Sequence, residues 1–117
     1  DLEEYGDQEF QLAMVSAASD MPGVTMHLGL RDGEPVARSM AVVHGALAGI
    51  HNVYVPPSCR RQGLGAALTA AAADAGRRMG ALAACLEATE LGYPLYRKMG
   101  FQPAGEYVVM GRDAPSA

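Results

Sequence analysis

Residues 60–66, Arg60-Arg61-Gln62-Gly63-Leu64-Gly65-Ala66, join two cations and two glycines to the start of an alanine-rich run. From there Leu64, Leu68, Ala71, Ala75 and Met79 recur at helical spacing, so the segment feeds into a helix N-terminus. The first amides of a helix have no acceptor within it and the macrodipole there is positive, which suits main-chain binding of a phosphate. Glycine at 63 and 65 keeps side chains out of that approach or permits a turn with positive φ. Read by itself, such a glycine pair equally describes an ordinary helix start. The spacing lacks the Gly-x-Gly-x-x-Gly of dinucleotide folds, and no Gly-Lys-Ser/Thr follows for a magnesium nucleotide.

The same residues fit Arg/Gln-x-x-Gly-x-Gly/Ala, and here the chain resembles the GNAT superfamily of N-acetyltransferases. A second segment, Leu95-Tyr96-Arg97-Lys98-Met99-Gly100-Phe101, is similar to that family's Leu-Tyr-x-x-x-Gly-Phe. The resemblance spans roughly residues 25–112 in element order, and its specificity comes from the two motifs together. Thr89 stands where the family often has asparagine. The resemblance implies an α/β (α+β) fold with a mixed, mostly antiparallel sheet, splayed at the cofactor site and flanked by helices. It implies acetyl-CoA as co-substrate, with the pyrophosphate on Arg60, Arg61, Gln62, Gly63, Leu64, Gly65 and Ala66. Val53, Tyr54 and Val55 would lie beside the pantetheine arm, whose amides a strand edge can pair with, and Tyr96 near the sulfur. Such folds also carry a strand, usually with a helix, ahead of the first helix seen here, so an N-terminal strand is expected to be missing.

Acetyl transfer to an amine needs a neutral amine, a polarised thioester carbonyl and a proton for the departing thiolate. Tyr96 suits the third requirement, because a phenol with a pKa of about 10 is a protonated donor at neutral pH. Its alternative role is an aromatic packed on the preceding strand. For the base, the stretch Ala48-Gly49-Ile50-His51-Asn52 holds no carboxylate. His51, which shares strand parity with Val53, and Glu87, at the end of an apolar strand, are the candidates, and a water chain is the third. His27 and His44 read as structural. Direct transfer in a ternary complex follows from the resemblance, without a metal or a covalent enzyme intermediate. The rival is a non-catalytic acyl-CoA-binding module, which would not need a phenol beside the sulfur.

With 117 residues the chain is expected to make one domain, 1–117, with residues 113–117 as a loose tail, and to be part of a longer protein. A net charge of -4 and scattered Lys and Arg argue against a nucleic-acid surface. The acidic balance favours a cationic acceptor, read as a small-molecule amine ahead of a protein amine. Cys59 and Cys85 have no metal-site or disulfide spacing. Cys85 is expected in the core and Cys59 partly exposed. No stretch reads as a membrane span or leader, so the cytoplasm is the default compartment. A sheet edge suggests a homodimer.

Periodicity orders the elements. Residues 7–19 read as a helix with Asp7 as N-cap. Alternation begins near Thr25, turns at Asp32-Gly33 and resumes over residues 36–43. Residues 47–55 form a third strand, 63–79 the long helix stopped by Gly80, and 82–88 a fourth strand. A short helix over residues 94–99 ends at Gly100, and residues 106–110 form a last strand.

Overall fold

The computed structural model describes residues 16–18, 20–108 and 110–113. Of the helix expected over 7–19, residues 16–18 are helical and the rest lies outside the described residues. The expected alternation then becomes strand β1 (Val24–Arg31), which turns at Asp32 and Gly33 into β2 (Glu34–His44). Both turn residues have positive φ, 51° and 82°, the requirement of the tight hairpin turn whose twist matches its strands. Gly45 and Ala46 connect β2 to β3 (Leu47–Tyr54), and the three strands are antiparallel.

After β3 a short 3-10 turn over Pro57–Cys59 leads to helix α1 (Leu64–Arg78). The chain returns to β4 (Ala83–Leu86), which lies parallel to β3 and completes the order β1-β2-β3-β4. Helix α2 (Tyr93–Lys98) follows. Of the strand expected over 106–110, the described residues 106–108 and 110 are not in a strand, and Tyr107, Val108 and Met110 are exposed. A cleft of about 970 Å³ lies between β4, α2 and the segment from Phe101 to Tyr107. The β-favouring residues there pair with no strand among the described residues, and alternation without a partner is not a strand.

Helix α1 packs on one sheet face, and the residues beneath it are small. Ala37, Ser39 and Ala41 of β2 and Ala48 and Ile50 of β3 are buried. Ala41, Ile50 and Ala72 form the core, with Val53, Leu86 and Phe101 packed against it. The buried Ser39 hydroxyl donates to the Leu68 carbonyl at 2.8 Å, so its burial leaves no orphaned group. At the helix end, Gly80 (φ 100°) donates to the Arg77 carbonyl and Ala81 to the Gly76 carbonyl. This paired bond is the glycine stop that the sequence suggests. Arg77 and Arg78 both bind Asp74, at 2.8 and 2.9 Å.

The two cysteines reverse their expected places. Cys59 is buried in the 3-10 turn, whereas Cys85 is exposed. Parallel register puts Ala84 and Leu86 beside Ala48 and Ile50 on the helix side, so Cys85 between them faces away from it.

A Cβ on Gly76 would lie 2.5 Å from the Ala48 Cβ. Alanine is the better helix former by about 1 kcal/mol, yet overpacking costs about 1–3 kcal/mol. Gly76→Ala is therefore expected to lower the urea midpoint, and adding Ala48→Gly to restore part of the loss; a stabilised Gly76→Ala protein would contradict this packing.

Candidate active site

Parallel pairing of β3 and β4 stops at Ile50 and Leu86. Beyond it β3 continues to Tyr54 while β4 has ended, so the β4-side edge of residues 51–54 is left without a ladder partner among the described residues. That parting opens a cleft of about 790 Å³. His51, Glu87 and Tyr96 all line it, together with Val53, Tyr54, Val55, Arg60, Arg61, Gly63, Leu64, Gly65 and Ala66. One predicted residue is absent from the lining: the Gln62 amide oxygen accepts from Arg31 Nη2 at 3.0 Å, which turns it toward β1.

The mouth of the cleft is the start of α1. Gly63 caps the helix in the left-handed region, φ 81°, and its carbonyl closes the first turn with the Ala67 amide. The amides of Leu64, Gly65 and Ala66 precede any intrahelical acceptor, and no acidic residue occupies the first turn. This positive end is left uncancelled. Arg61 also holds a positive φ, 64°, although it is not glycine. Arg60 Nε donates to the Val55 carbonyl at 2.9 Å, tying the loop to the end of β3. The two glycines differ in their reasons. Gly63 needs its φ, and a Cβ there would meet no protein atom within 4 Å. Gly65 does not share that φ; its Cβ would meet Leu95 Cδ2 at 3.4 Å and Val55 Cγ2 at 4.0 Å, ordinary van der Waals contacts.

Tyr96 is positioned by the end of its own short helix. Gly100 (φ 98°) donates to the Arg97 carbonyl at 3.1 Å and Phe101 to the Tyr96 carbonyl at 3.0 Å. These bonds fold Phe101 back over the last turn, and its ring meets Tyr96 edge-on, 6.0 Å between centroids. The Tyr-x-x-x-Gly-Phe spacing is thus a helix stop that clamps the tyrosine. Thr89 serves the other end: its carbonyl accepts from Tyr93 at 2.9 Å and its hydroxyl from the Gly92 amide at 3.3 Å.

The parity expected for His51 fails. β3 pairs Tyr54 with Arg38 and His51 with Met40, three residues against two. Asn52, with φ 54°, takes up the extra residue as a β-bulge. Tyr54 and His51 therefore share the sheet face away from α1, while Val53 packs into the core cluster. An asparagine inside a strand run was the available signal. Glu87 follows Leu86 as His51 follows Ile50, so both stand at the fork where the strands part. Both are exposed.

Residues 22–103 match the family model described as the acetyltransferase (GNAT) domain, and the chain belongs to that family. An acetyltransferase from Trypanosoma brucei superposes with a TM-score of 0.77 at 23% identity, covering 94% of this chain and 84% of that one. A GCN5-related N-acetyltransferase from Ralstonia eutropha gives 0.71 at 27% identity, with 93% and 84% covered. An aminoglycoside N-acetyltransferase in complex with CoA gives 0.76 at 15% identity, with 91% and 88% covered. No curated protein sequence matches the chain.

The glycine geometry separates two substitutions. Gly63→Ala forces a Cβ into the left-handed region and is expected to cost about 1–2 kcal/mol, whereas Gly65→Ala makes ordinary contacts in a helix and should change stability by less than about 1 kcal/mol. Denaturation curves of the two variants check the order; equal losses would contradict it.

Proposed function

We propose that the protein transfers the acetyl group of acetyl-CoA to a primary amine of a small molecule. The observation that carries this reading is the coincidence, in one cleft, of an unpaired strand edge, a helix start with free amides and Tyr96. Acetyl-CoA would supply an acetyl group already activated as a thioester. The chain's residues fit it part by part. The amides of Leu64, Gly65 and Ala66, aided by Arg60 and Arg61, suit a diphosphate. The edge of β3 offers main-chain donors and acceptors to an amide-bearing arm, as an added strand would.

Tyr96, clamped against Phe101, holds a proton at Oη for the departing thiol. His51 and Glu87 flank the fork from the two strands, where an amine could lose its proton to either or to water. The narrow seat of the fork positions the two reactants, and such positioning alone accounts for much of the barrier reduction in group transfer.

The test is thiol release with acetyl-CoA across an amine panel, paired with calorimetric titration of acetyl-CoA. Turnover with one amine class supports the proposal, and tight binding without turnover supports a binding module instead. Gly63→Val is expected to abolish acetyl-CoA binding in a folded protein, because its bulk projects where the diphosphate would approach; unchanged affinity would remove the cradle from the site. Dephospho-CoA should still bind the native protein.

Tyr96→Phe is expected to lower kcat by roughly ten- to a thousandfold with little change in acetyl-CoA affinity, since the ring stays and the donor goes. Full kcat would reduce Tyr96 to packing. For the base, His51→Gln and Glu87→Gln are compared across pH. Loss of the acidic limb of kcat/KM in one variant names that residue, and a limb kept in both, tracking the amine's own pKa, assigns deprotonation to solvent.

A further inference from the structure

Two clefts meet where the strands part. The one that runs from the end of β3 to the start of α1 and the larger one bounded by β4, α2 and the segment from Phe101 to Tyr107 share Leu86, Glu87, Thr89, Tyr96 and Tyr107 in their linings. Tyr96, the proton donor of the proposed reaction, therefore borders both. The helix start and the uncovered edge of β3 border only the first. Acetyl-CoA, read part by part above, belongs to that first cleft, and this reading assigns no ligand to the second, which has about 970 Å³.

The two clefts differ in charge. The first is lined by Arg60 and Arg61 beside the positive end of α1, and suits a polyanion. The second is lined by Glu87, Glu90 and Glu106, and its one cation among the described residues is Arg97. Arg97 Nη1 donates to the Phe101 carbonyl at 3.0 Å, which engages that guanidinium at the end of α2. None of the three glutamates is ion-paired among the described residues, and all are exposed, so a ligand in the cleft can reach them. Tyr93 and Tyr107, both exposed, lie in the same lining, and an aromatic face attracts cations as a carboxylate does. Carboxylates on an open surface are simply solvated; these line a cavity whose wall includes the proton donor.

We propose that the second cleft receives the acceptor and that the acceptor is a diamine or polyamine: one amino group enters the fork beside Glu87 and Tyr96, while a second, protonated one is held by Glu90 and Glu106. The inference rests on the acetyltransferase reading above. Glu90 is three residues beyond Glu87, at most about 11 Å along the chain, a span that a short aliphatic linker bridges. Glu106 adjoins Tyr107, which lines both clefts. In the transfer the neutral amine attacks the thioester carbonyl. The amide C–N bond forms as the C–S bond breaks, the amine's proton leaves to Glu87, His51 or water, and Tyr96 gives a proton to the thiolate. The distal ammonium takes no part in this step and serves only to orient the acceptor.

The experiment measures thiol release by the intact protein at saturating acetyl-CoA and compares pentamethylenediamine with n-hexylamine, in which a methyl group replaces the second amino group. The native protein is expected to favour the diamine by roughly tenfold or more in kcat/KM per amino group, since a solvated ion pair is weak alone but two carboxylates and the rings act together here. In the double variant Glu90→Gln with Glu106→Gln the ratio should fall toward one, and in Glu90→Asp with Glu106→Asp, which keeps both charges, most of it should return. Calorimetry with acetyl-CoA shows that the variants are folded. For the native protein alone, pentyltrimethylammonium, which carries the charge but no amine to acetylate, should inhibit competitively against the diamine, and n-pentanol should not. Equal use of diamine and monoamine by the native protein, a preference unchanged in the glutamine double variant, or equal inhibition by the ammonium and the alcohol overturns the proposal. Failure of the native protein to bind acetyl-CoA, or to turn over any amine, instead overturns the reading on which it rests.

Discussion

The close seating of α1 on the sheet governs where everything else can stand. Its contact surface is made of residues with almost no side chain: Gly76 over Ala48, Ala72 over Ala41, and Gly29 admitting Leu64 and Leu68. Ser39 adds a direct bond from strand to helix backbone. Small residues gain little per side chain from burial, but they let main chain approach main chain. The helix start is thereby held at a fixed place beside the end of β3, and the loop is tied down by Arg60 on Val55. Such a bond from a rigid strand is what gives a surface loop a defined geometry.

The fork between β3 and β4 follows from strand length. Four residues of β4 cover only the first half of β3, and the remainder offers its edge to a ligand. An uncovered edge inside a fold would carry unmet polar groups unless something pairs with them. Here the same deficit appears in the first amides of α1. Both sets of groups border the same cleft. Natural folds concentrate such departures from full satisfaction at sites of function.

Charge is distributed on the same plan. The chain is acidic as a whole, with a net charge of -4, yet the surroundings of the cleft mouth are cationic through Arg60, Arg61 and the helix dipole. Net charge acts over a Debye length and is screened by salt, while groups within the cleft act at contact distance. Recognition in the cleft is thus set by these local groups. The pairs of Asp74 with Arg77 and Arg78, on an exposed helix end, belong to the solvated surface and contribute little.

Elements whose cause is local can be read directly from the order of residues. Gly63, Gly80 and Gly100 each supply a positive φ at a helix boundary, and hairpin turn and helix stops follow from bonds spanning a few residues. The two motifs, and with them the family, were legible for that reason, and every site residue named from them except Gln62 lines the cleft. Matters of register and of neighbouring residues depended on long-range packing. The Asn52 bulge moved Tyr54, not Val53, onto the face of His51. The side of β4 that met the helix exposed Cys85, and the fold of the 3-10 turn buried Cys59. Arg31 drew Gln62 away from the cleft, and the described residues of the expected last strand join no sheet. Pairing partners come from distant parts of the chain, and a shift of one residue turns a strand over, so no local pattern could have fixed which face or which neighbour each of these side chains would meet.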